Sequence, residues 1–448
     1  MSNLNAWTHL SLGDVTVEGK ERNNSQSSLL KVFGVDRHEG LTADAKYKSK
    51  DLSRYKVIQP GMFAYNPMRL NIGSIAPCTE REGAGLVSPD YVVFSCKKDV
   101  LLPQYMKYFI CGREWKNWTE YAGVGSVRVR IYYKELARMP LSLPPVAEQK
   151  AIAHILGKLD DKIELNRKMN ATLESMAQAM FKSWFVDFDP VIDNALAAGN
   201  PIPEPLQQKA QTRKELGDQK KSLPPDIQKL FPDQFQFNEE LGWIPEGWEV
   251  RAVADAVSIN PKLSLKKGQI APYADMKSLP TSGFAIDDVI TKQFSGGTKF
   301  QNGDVLMARI TPCLENGKAG IVDFLNQNDV GFGSTEFTVL SPQEGIKTPF
   351  LACLSRHEKF RQHCIANMVG SSGRQRVHPS CFDSFYLAIP HDGILHEFNR
   401  FGFAIFERST FAKLESGALA KLRDTLLPKL LSGELRIPDA EKLVAEQA

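Results

Sequence analysis

The chain repeats itself at an offset of about 240–250 residues, and no other feature of the sequence limits the possible folds so strongly. Short segments of similar residues recur in the same order in both halves of the 448 residues. Each match is weak alone, but the shared order indicates a duplicated structural unit. The matched pairs are 7–12 with 248–253, 57–62 with 300–305, 101–106 with 347–351, 125–128 with 370–374, and 139–140 with 389–390.

A long amphipathic helix is predicted after each copy. The first helix opens behind Pro144 and Pro145, which suit a helix start, and runs for roughly 35–40 residues, or ~55 Å. Apolar residues recur in both helices at steps of three and four, the spacing of a coiled-coil seam. Because a helix of this length needs a partner for its apolar stripe, we expect the two to pair antiparallel. The seam residues are Ile152, Leu156, Leu159 and Ile163, and then Leu419, Leu422, Leu426 and Leu430.

The two copies themselves combine strand-like runs, bounded by Gly and Pro, with shorter helices. The predicted fold class is therefore α+β, with two similar mixed α/β domains separated by two long antiparallel coiled-coil helices in a pseudo-twofold internal repeat. The predicted boundaries are 1–142 for the first domain, 143–188 for the first helix, 189–241 for a Pro-rich linker, 242–391 for the second domain, 392–435 for the second helix and 436–448 for a C-terminal tail.

Composition and charge favour an intracellular protein that binds a polyanion. Residues 1–140 carry 20 Lys and Arg against 14 Asp and Glu, whereas residues 246–390 carry 15 against 14. A basic face suits nucleic acid, although a solvated surface explains such an excess equally well. No apolar stretch is long enough to cross a membrane, no secretory signal is evident, and the seven cysteines form no C-x-x-C pair. We therefore expect a cytoplasmic protein with reduced thiols.

Signatures of catalysis are missing from the sequence. It contains no N-P-P-[YF] motif for amino methylation, no phosphate-binding G-x-x-x-x-G-K-[ST] loop and no G-x-S-x-G elbow. His357, His363 and Cys364 lack a fourth ligand at the usual spacing for a metal site. We therefore predict a binding protein without catalytic or metal-ligating residues.

Two similar domains at a fixed separation suit a ligand with two sites at a fixed separation, and duplex DNA is such a ligand. Polar loop residues are the candidate contacts, because Arg bonds to guanine and Gln to adenine in the major groove, while Ser and Lys hold phosphates. Any one of these residues is explained equally well by a surface salt bridge. The candidates are Lys46, Arg69, Asn71, Ser126, Arg128 and Arg130 in the first half, and Arg309, Lys318, Ser371, Arg374, Gln375 and Arg376 in the second.

Four segments resemble the specificity subunits of type I restriction–modification systems. They are 143–149, 181–190, 242–248 and 426–435. The resemblance implies two target recognition domains that each read one half of a split DNA sequence, with helices that set the gap. It also implies docking of two modification subunits and of restriction subunits. Methylation and cleavage, with their S-adenosylmethionine, ATP and Mg²⁺, would belong to those partners, and this chain would bind no cofactor of its own.

Aromatic residues beside the helical seam favour a second buried face that would suit docking of the modification subunits. They are Phe181, Trp184 and Phe185 in the first helix, with a phenylalanine cluster from Phe398 to Phe411 in the second. Two other functions remain open at this stage. One is a stand-alone nuclease with an unfamiliar active site, and the other is a two-headed scaffold that binds proteins.

Overall fold

The computed structural model describes residues 7–24, 31–37, 40–43, 49–121, 130–217, 223–371 and 373–446. These residues form two compact units. Unit 1 comprises Met1–Glu164 and Ser416–Ala448, and unit 2 comprises Leu165–Glu415. None of the described helices combines the length and the apolar character needed to span a membrane.

The first copy of the repeat is a mixed α/β domain in unit 1. Its strands are β1 (Thr8–Ser11), β2 (Thr16–Gly19), β3 (Lys31–Asp36), β4 (Gly40–Ala43), β5 (Lys56–Ile58), β6 (Met62–Tyr65), β7 (Ile75–Pro77), β8 (Gly85–Val87), β9 (Val92–Cys96) and β10 (Pro140–Leu143). Its helices are α1 (Leu12–Val15), α2 (Pro103–Phe109), α3 (Arg113–Tyr121) and α4 (Tyr133–Leu136).

A 40-residue helix, α5 (Val146–Phe185), follows the first copy. The proline-rich region behind it contains short elements, some of which begin with a proline in the first turn, where its missing N–H is not needed. These elements are helices α6 (Asp189–Ala198), α7 (Gln207–Leu216) and α8 (Pro225–Gln228), and a hairpin of β11 (Phe235–Asn238) and β12 (Gly242–Pro245).

The second copy lies in unit 2. Its strands are β13 (Glu249–Ala252), β14 (Ser258–Ile259), β15 (Ile270–Ala274), β16 (Ile290–Gln293), β17 (Thr298–Phe300), β18 (Val305–Ala308), β19 (Ala319–Ile321), β20 (Gly331–Gly333), β21 (Phe337–Ser341), β22 (Met368–Val369), β23 (Arg376–Val377) and β24 (Tyr386–Ile389). Its helices are α9 (Val253–Ala256), α10 (Thr348–Arg356) and α11 (Glu358–Ala366), followed by the 40-residue α12 (Asp392–Leu431) and by α13 (Ile437–Ala445).

The strand order confirms the predicted duplication. Unit 1 contains four-stranded sheets of order β2-β9-β6-β7 and β4-β3-β8-β5, and unit 2 contains sheets of order β14-β21-β18-β19 and β16-β15-β20-β17. The parallel pairs also correspond, since β3 pairs with β8 and β15 with β20. A ribbon of β1 with β10, or of β13 with β24, closes each copy directly before its long helix.

The predicted helical seam is present in unit 1. Ile152, Leu156 and Leu159 of α5 share one buried core with the leucines of α12 and with the aromatic residues of α2. Asp160 of α5 accepts a hydrogen bond of 2.9 Å from Arg423 of α12 beside this core. The apolar stripe of each helix is thus covered by the other helix and by the domain, as its spacing requires.

In unit 2 the same two helices run antiparallel. Asn166 Nδ2 of α5 donates to Glu415 Oε2 of α12 at 2.7 Å, and Asn170 Nδ2 donates to the Ser409 carbonyl at 3.2 Å. Residue numbers therefore fall along α12 as they rise along α5. Asn166 is buried within the seam, and a buried asparagine fixes the register of a coiled coil because other registers leave its amide unpaired.

The aromatic residues of α5 do not form a docking surface, which corrects the expectation from sequence. Trp184, Phe181 and Phe185 are all buried in the core of unit 2. The Trp184 ring lies 5.2 Å from the ring of Phe231, and the Phe185 ring lies 4.9 Å from that of Phe398. The second apolar face of α5 is real, but residues of this chain cover it.

An arginine with only 10% of its side chain exposed joins α5 to the second copy of the domain. Arg356, at the end of α10, donates to Glu174 Oε1 of α5 at 2.8 Å, and the guanidinium lies 4.5 Å from the centre of the Phe284 ring. The same guanidinium also donates to the main-chain carbonyls of Pro280, Thr281, Gly283 and Ala319.

We expect Arg356→Ala to destabilise unit 2 by about 3–5 kcal/mol, because the substitution leaves the largely covered Glu174 carboxylate and four carbonyls without their donor. The matched control is Arg400→Ala, which removes an exposed arginine paired with Glu397 and should cost less than about 1 kcal/mol. Urea unfolding of both variants measures the difference. Equal losses of stability in the two variants would show that the hydrogen bonds of Arg356 contribute no more to the stability of unit 2 than an exposed ion pair does.

Candidate nucleic-acid interface

The loop that follows β18 supports the candidate interface of unit 2. Arg309 is the first residue of this loop, and its backbone N–H donates to the Glu336 carbonyl at 3.0 Å. Its side chain donates to the Val377 carbonyl at 3.0 Å, and the Val377 N–H returns a bond of 2.8 Å to the Arg309 carbonyl. Arg309 therefore connects three segments, and its side chain already donates a hydrogen bond within its own chain.

The hairpin of β22 and β23 docks on this loop as an added ribbon. Val369 pairs with Arg376 inside the hairpin, and the Thr311 N–H donates to the Gln375 carbonyl at 3.1 Å. The turn requires glycine, because Gly370 has a φ of 128° and a Cβ atom there would lie 3.0 Å from the Arg374 carbonyl oxygen. The hairpin thus has a backbone shape that few other sequences adopt.

An ion pair fixes the side chain of Arg376. Its Nε lies 2.9 and 2.8 Å from the two carboxylate oxygens of Glu336, and its Nη2 lies 2.6 Å from Oε1. The hydrogen bonds from Arg376 hold the pKa of the Glu336 carboxyl below its usual range. Because Nη1 also reaches the Arg374 carbonyl at 3.3 Å, the guanidinium is committed to holding the hairpin.

The tip of the hairpin presents the least committed donors. Arg374 is exposed, and its backbone N–H closes the turn on the Ser371 carbonyl at 3.0 Å. Within the described part of the chain, its guanidinium has no recorded hydrogen bond or ion pair. Ser371 is exposed beside it, and Gln375 is half-buried.

Lys318 and His378 have structural partners. Lys318 Nζ donates to the Met276 carbonyl at 2.7 Å, which ties the loop after β18 to the loop after β15. The His378 ring contacts Ser380 Oγ at 2.7 Å through Nδ1 and caps the short helix Pro379–Asp383. The structure therefore brings the second-half candidates together, but it places them in different roles.

The candidates of unit 1 meet in the equivalent loop, which follows β6. Arg69 and Asn71 are exposed on either side of Leu70 in a short 3-10 helix and its cap. The Ile131 N–H donates to the Pro67 carbonyl at 3.0 Å, which brings the exposed Arg130 next to this loop. Three of the six first-half candidates therefore share one surface.

Other sequence predictions have different outcomes. Lys46, Ser126 and Arg128 lie outside the described residues.

Metal binding has no support among the described residues. No group of three His, Cys, Asp or Glu side chains there is arranged to hold an ion. His363 Nε2 lies 2.8 Å from the Cys381 carbonyl oxygen, and Cys364 is buried in the core of unit 2. The candidate residues of the interface offer hydrogen-bond donors and positive charge.

Two features of this surface escaped the sequence reasoning. Glu336 precedes its partner Arg376 by 40 residues, so no local pattern indicates the pair. Met68 and Ile72 are each more than half exposed beside Arg69, and they add apolar contact area of the kind that meets a thymine methyl group. The one sequence signal that could have indicated Met68 and Ile72 is the presence of apolar residues in a polar loop after a buried strand.

We expect Glu336→Ala to loosen the hairpin of β22 and β23 without unfolding unit 2. Loss of an exposed bidentate pair costs about 0.5–1 kcal/mol, which predicts two- to five-fold faster hydrogen exchange at the hairpin amides. Glu397→Ala, which breaks the exposed pair with Arg400 on α12, is the control and should leave hairpin exchange unchanged. Unaltered exchange in Glu336→Ala would show that backbone bonds alone hold the hairpin.

Comparisons with known proteins find similarity to DNA specificity subunits. Residues 68–175 match a family model described as the type I restriction modification DNA specificity domain. The chain is 24% identical over 472 residues to the type I restriction enzyme HindI specificity subunit of Haemophilus influenzae, an alignment that covers 96% of this chain and 100% of that protein. It is also 24% identical over 388 residues to the MjaIX specificity subunit of Methanocaldococcus jannaschii, covering 83% of this chain and 77% of that protein.

A solved structure shares the fold. The S subunit of a type I restriction–modification system from M. genitalium superposes with a TM-score of 0.50 and 11% sequence identity, over 95% of this chain and 96% of that one. At such low identity the likeness concerns the architecture alone.

Proposed function

Because the chain belongs to the family of type I restriction–modification specificity subunits, we propose that it is the DNA-reading subunit of such a complex. In this proposal each unit reads one half of a bipartite target sequence. One observation carries the proposal, namely that the same strand order occurs twice with different loop side chains at equivalent places. A duplicated frame with two unlike reading surfaces fits a target made of two unlike halves.

The chemistry of the loops supports reading of base edges in unit 2. Arg374 offers two parallel donors, which match the O6 and N7 acceptors of guanine, and its hairpin is held rigidly by Arg376. In unit 1, Arg69 and Asn71 offer the equivalent pairings with guanine and adenine. Ser371 is suited to a phosphate or sugar oxygen beside the bases.

The chemistry of methylation and cleavage is assigned to partner subunits. We propose two modification subunits, which would bind S-adenosylmethionine, and restriction subunits, which would use ATP and Mg²⁺. The complex would act in the cytoplasm, where these cofactors and its DNA occur. For docking of a modification subunit we propose the exposed residues Phe403, Phe411 and Leu414 of α12, which line a groove of about 550 Å³ in unit 2.

Mapping of methylated bases in a host that carries this system tests the proposal. We expect one bipartite motif with two defined halves, and we expect it to vanish when the gene for this chain is deleted while the modification gene remains. A single contiguous motif, or a motif that survives the deletion, would contradict the proposal.

Two further experiments separate the alternative functions. Cleavage of plasmid DNA by the purified chain with Mg²⁺ would favour a nuclease. Failure of the full complex to shift DNA in a gel would favour a protein scaffold.

We expect Arg374→Ala to relax the motif at one base pair of one half-site. Loss of a bidentate arginine costs about 1–3 kcal/mol of discrimination, so other bases should appear at that position while the second half stays unchanged. Arg400→Ala on α12 is the matched control and should leave the motif intact. An unchanged motif in Arg374→Ala would remove this residue from the readout.

A further inference from the structure

Unit 2 carries a concentrated positive patch away from the loops considered above. Residues 258–273 and 289–300 contain five lysines and no Asp or Glu, although residues 246–390 as a whole are nearly neutral. These two segments flank and form the ribbon of β15 and β16. The residues of this lysine patch are Lys262, Lys266, Lys267, Lys292 and Lys299.

A pinned turn holds two of these lysines at the end of the ribbon. The Gly268 N–H donates to the Phe294 carbonyl at 2.8 Å, and the Phe294 N–H donates to the Gln269 carbonyl at 2.8 Å. Lys266 and Lys267, both exposed, therefore project from a turn that is fixed before any ligand arrives. Such preorganisation lowers the entropy lost on binding.

One strand of the ribbon, β16, is open to solvent along its length. All four residues of β16 are exposed, since the strand lies at the edge of its sheet. Lys292 Nζ lies 4.6 Å from the centre of the Tyr273 ring. Lys299 Nζ lies 5.4 Å from the centre of the Phe294 ring and donates to the Leu263 carbonyl at 2.8 Å, so this half-buried lysine adds charge to the patch but is held by its own chain. An aromatic ring attracts an ammonium group without neutralising its charge.

Nearby carboxylates leave the charge of the patch in place. Asp287 pairs with Lys413 of α12 at 2.7 Å. Asp275 accepts the backbone N–H groups of Lys277 and Ser278 at 2.6 and 3.2 Å, so its carboxylate is turned into its own loop. These two carboxylates therefore bond elsewhere and are not paired with lysines of the patch.

Strand β15 connects the lysine patch to the candidate reading loops of unit 2. Strand β15 begins behind the lysine turn and ends at Ala274, whose carbonyl accepts the Ser334 N–H at 3.3 Å. Ser334 precedes Glu336, the residue that holds Arg376. At about 3.3 Å per residue, the turn lies roughly 20 Å from this loop, which is about the width of duplex DNA.

We propose that the lysine patch binds the DNA backbone phosphates that flank the half-site read by unit 2. This inference rests on the proposed function and adds the surface that supplies affinity independent of sequence. Lysine binds phosphate as a point charge and lacks the planar fork that arginine uses for guanine, so a surface of lysines suits contacts that do not depend on sequence. An acidic protein partner is the competing occupant, and the experiment below separates it from DNA.

The test compares two triple variants of the chain in its complex with the modification subunit. Lys266→Gln, Lys267→Gln and Lys292→Gln together remove the exposed core of the patch. Binding to a labelled duplex that carries the mapped target is measured by fluorescence anisotropy. The salt concentration is varied from about 50 to about 300 mM, because affinity that comes from phosphate contacts falls steeply over this range. The matched control replaces three exposed lysines elsewhere in unit 2 with the same loss of charge, namely Lys214, Lys229 and Lys359.

Each phosphate contact contributes about 0.9 to the slope of log affinity against log salt, so the patch variant should lower the slope by about 2–3. Affinity should fall alike for target and random duplexes, because phosphates carry no sequence information. An unchanged slope, or an equal fall in the control, would overturn the inference and leave the proposed function intact. A wild-type complex without salt-dependent DNA binding would overturn both.

Discussion

An acidic side chain of helix α5 anchors the recognition domain in each unit, and the placement of the loops depends on that anchor. In unit 1, Asp160 accepts hydrogen bonds from Lys107 of α2 and Arg423 of α12. Burial would raise the pKa of Asp160, but the hydrogen bonds from these cations outweigh burial and keep its pKa below the usual range. In unit 2, Glu174 is held by Arg356 of α10, the counterpart of α2. Such partly buried ion pairs add little net stability over apolar packing, yet their directional bonds define one position of each domain against α5.

In the duplicated fold, the buried central strands are alike in both copies, whereas the residues of the edge strands differ. The central strands β6 and β18 are largely buried and pair on both sides, so their residues serve packing alone. The edges of the frame are free to vary. Val57 pairs with Leu86 in unit 1, whereas Lys299 pairs with Phe332 at the equivalent place in unit 2. One strand order can therefore carry an apolar surface in one copy and a cationic surface in the other, as two unlike half-sites demand.

The sequence predicted features that follow from the spacing of apolar residues or from repeated segments. It did not predict contacts between residues that lie far apart in the chain. The helical seams follow from steps of three and four, and the duplication follows from ordered matches. Trp184 was misassigned because apolar spacing shows that a face is buried but not which residues bury it. The pair of Glu336 and Arg376 joins loops 40 residues apart, which no pattern in one sequence reveals. The lysine turn at Lys266 and Lys267 was overlooked because its charge is averaged away over residues 246–390.

The commitments of the basic residues in unit 2 narrow where specificity can arise. A donor that already holds its own chain gains little by turning to a base, since the bond it leaves must be replaced. Arg309, Lys318 and Arg376 are spent in this way on carbonyls and on a carboxylate. The bonds of Arg309 and Arg376 hold the hairpin backbone in place, so little backbone freedom would be lost if Arg374 at its tip met a base. In the proposed function, these bonded cations hold the loops in place and Arg374 reads a base, so we expect related chains with a different target to differ at position 374.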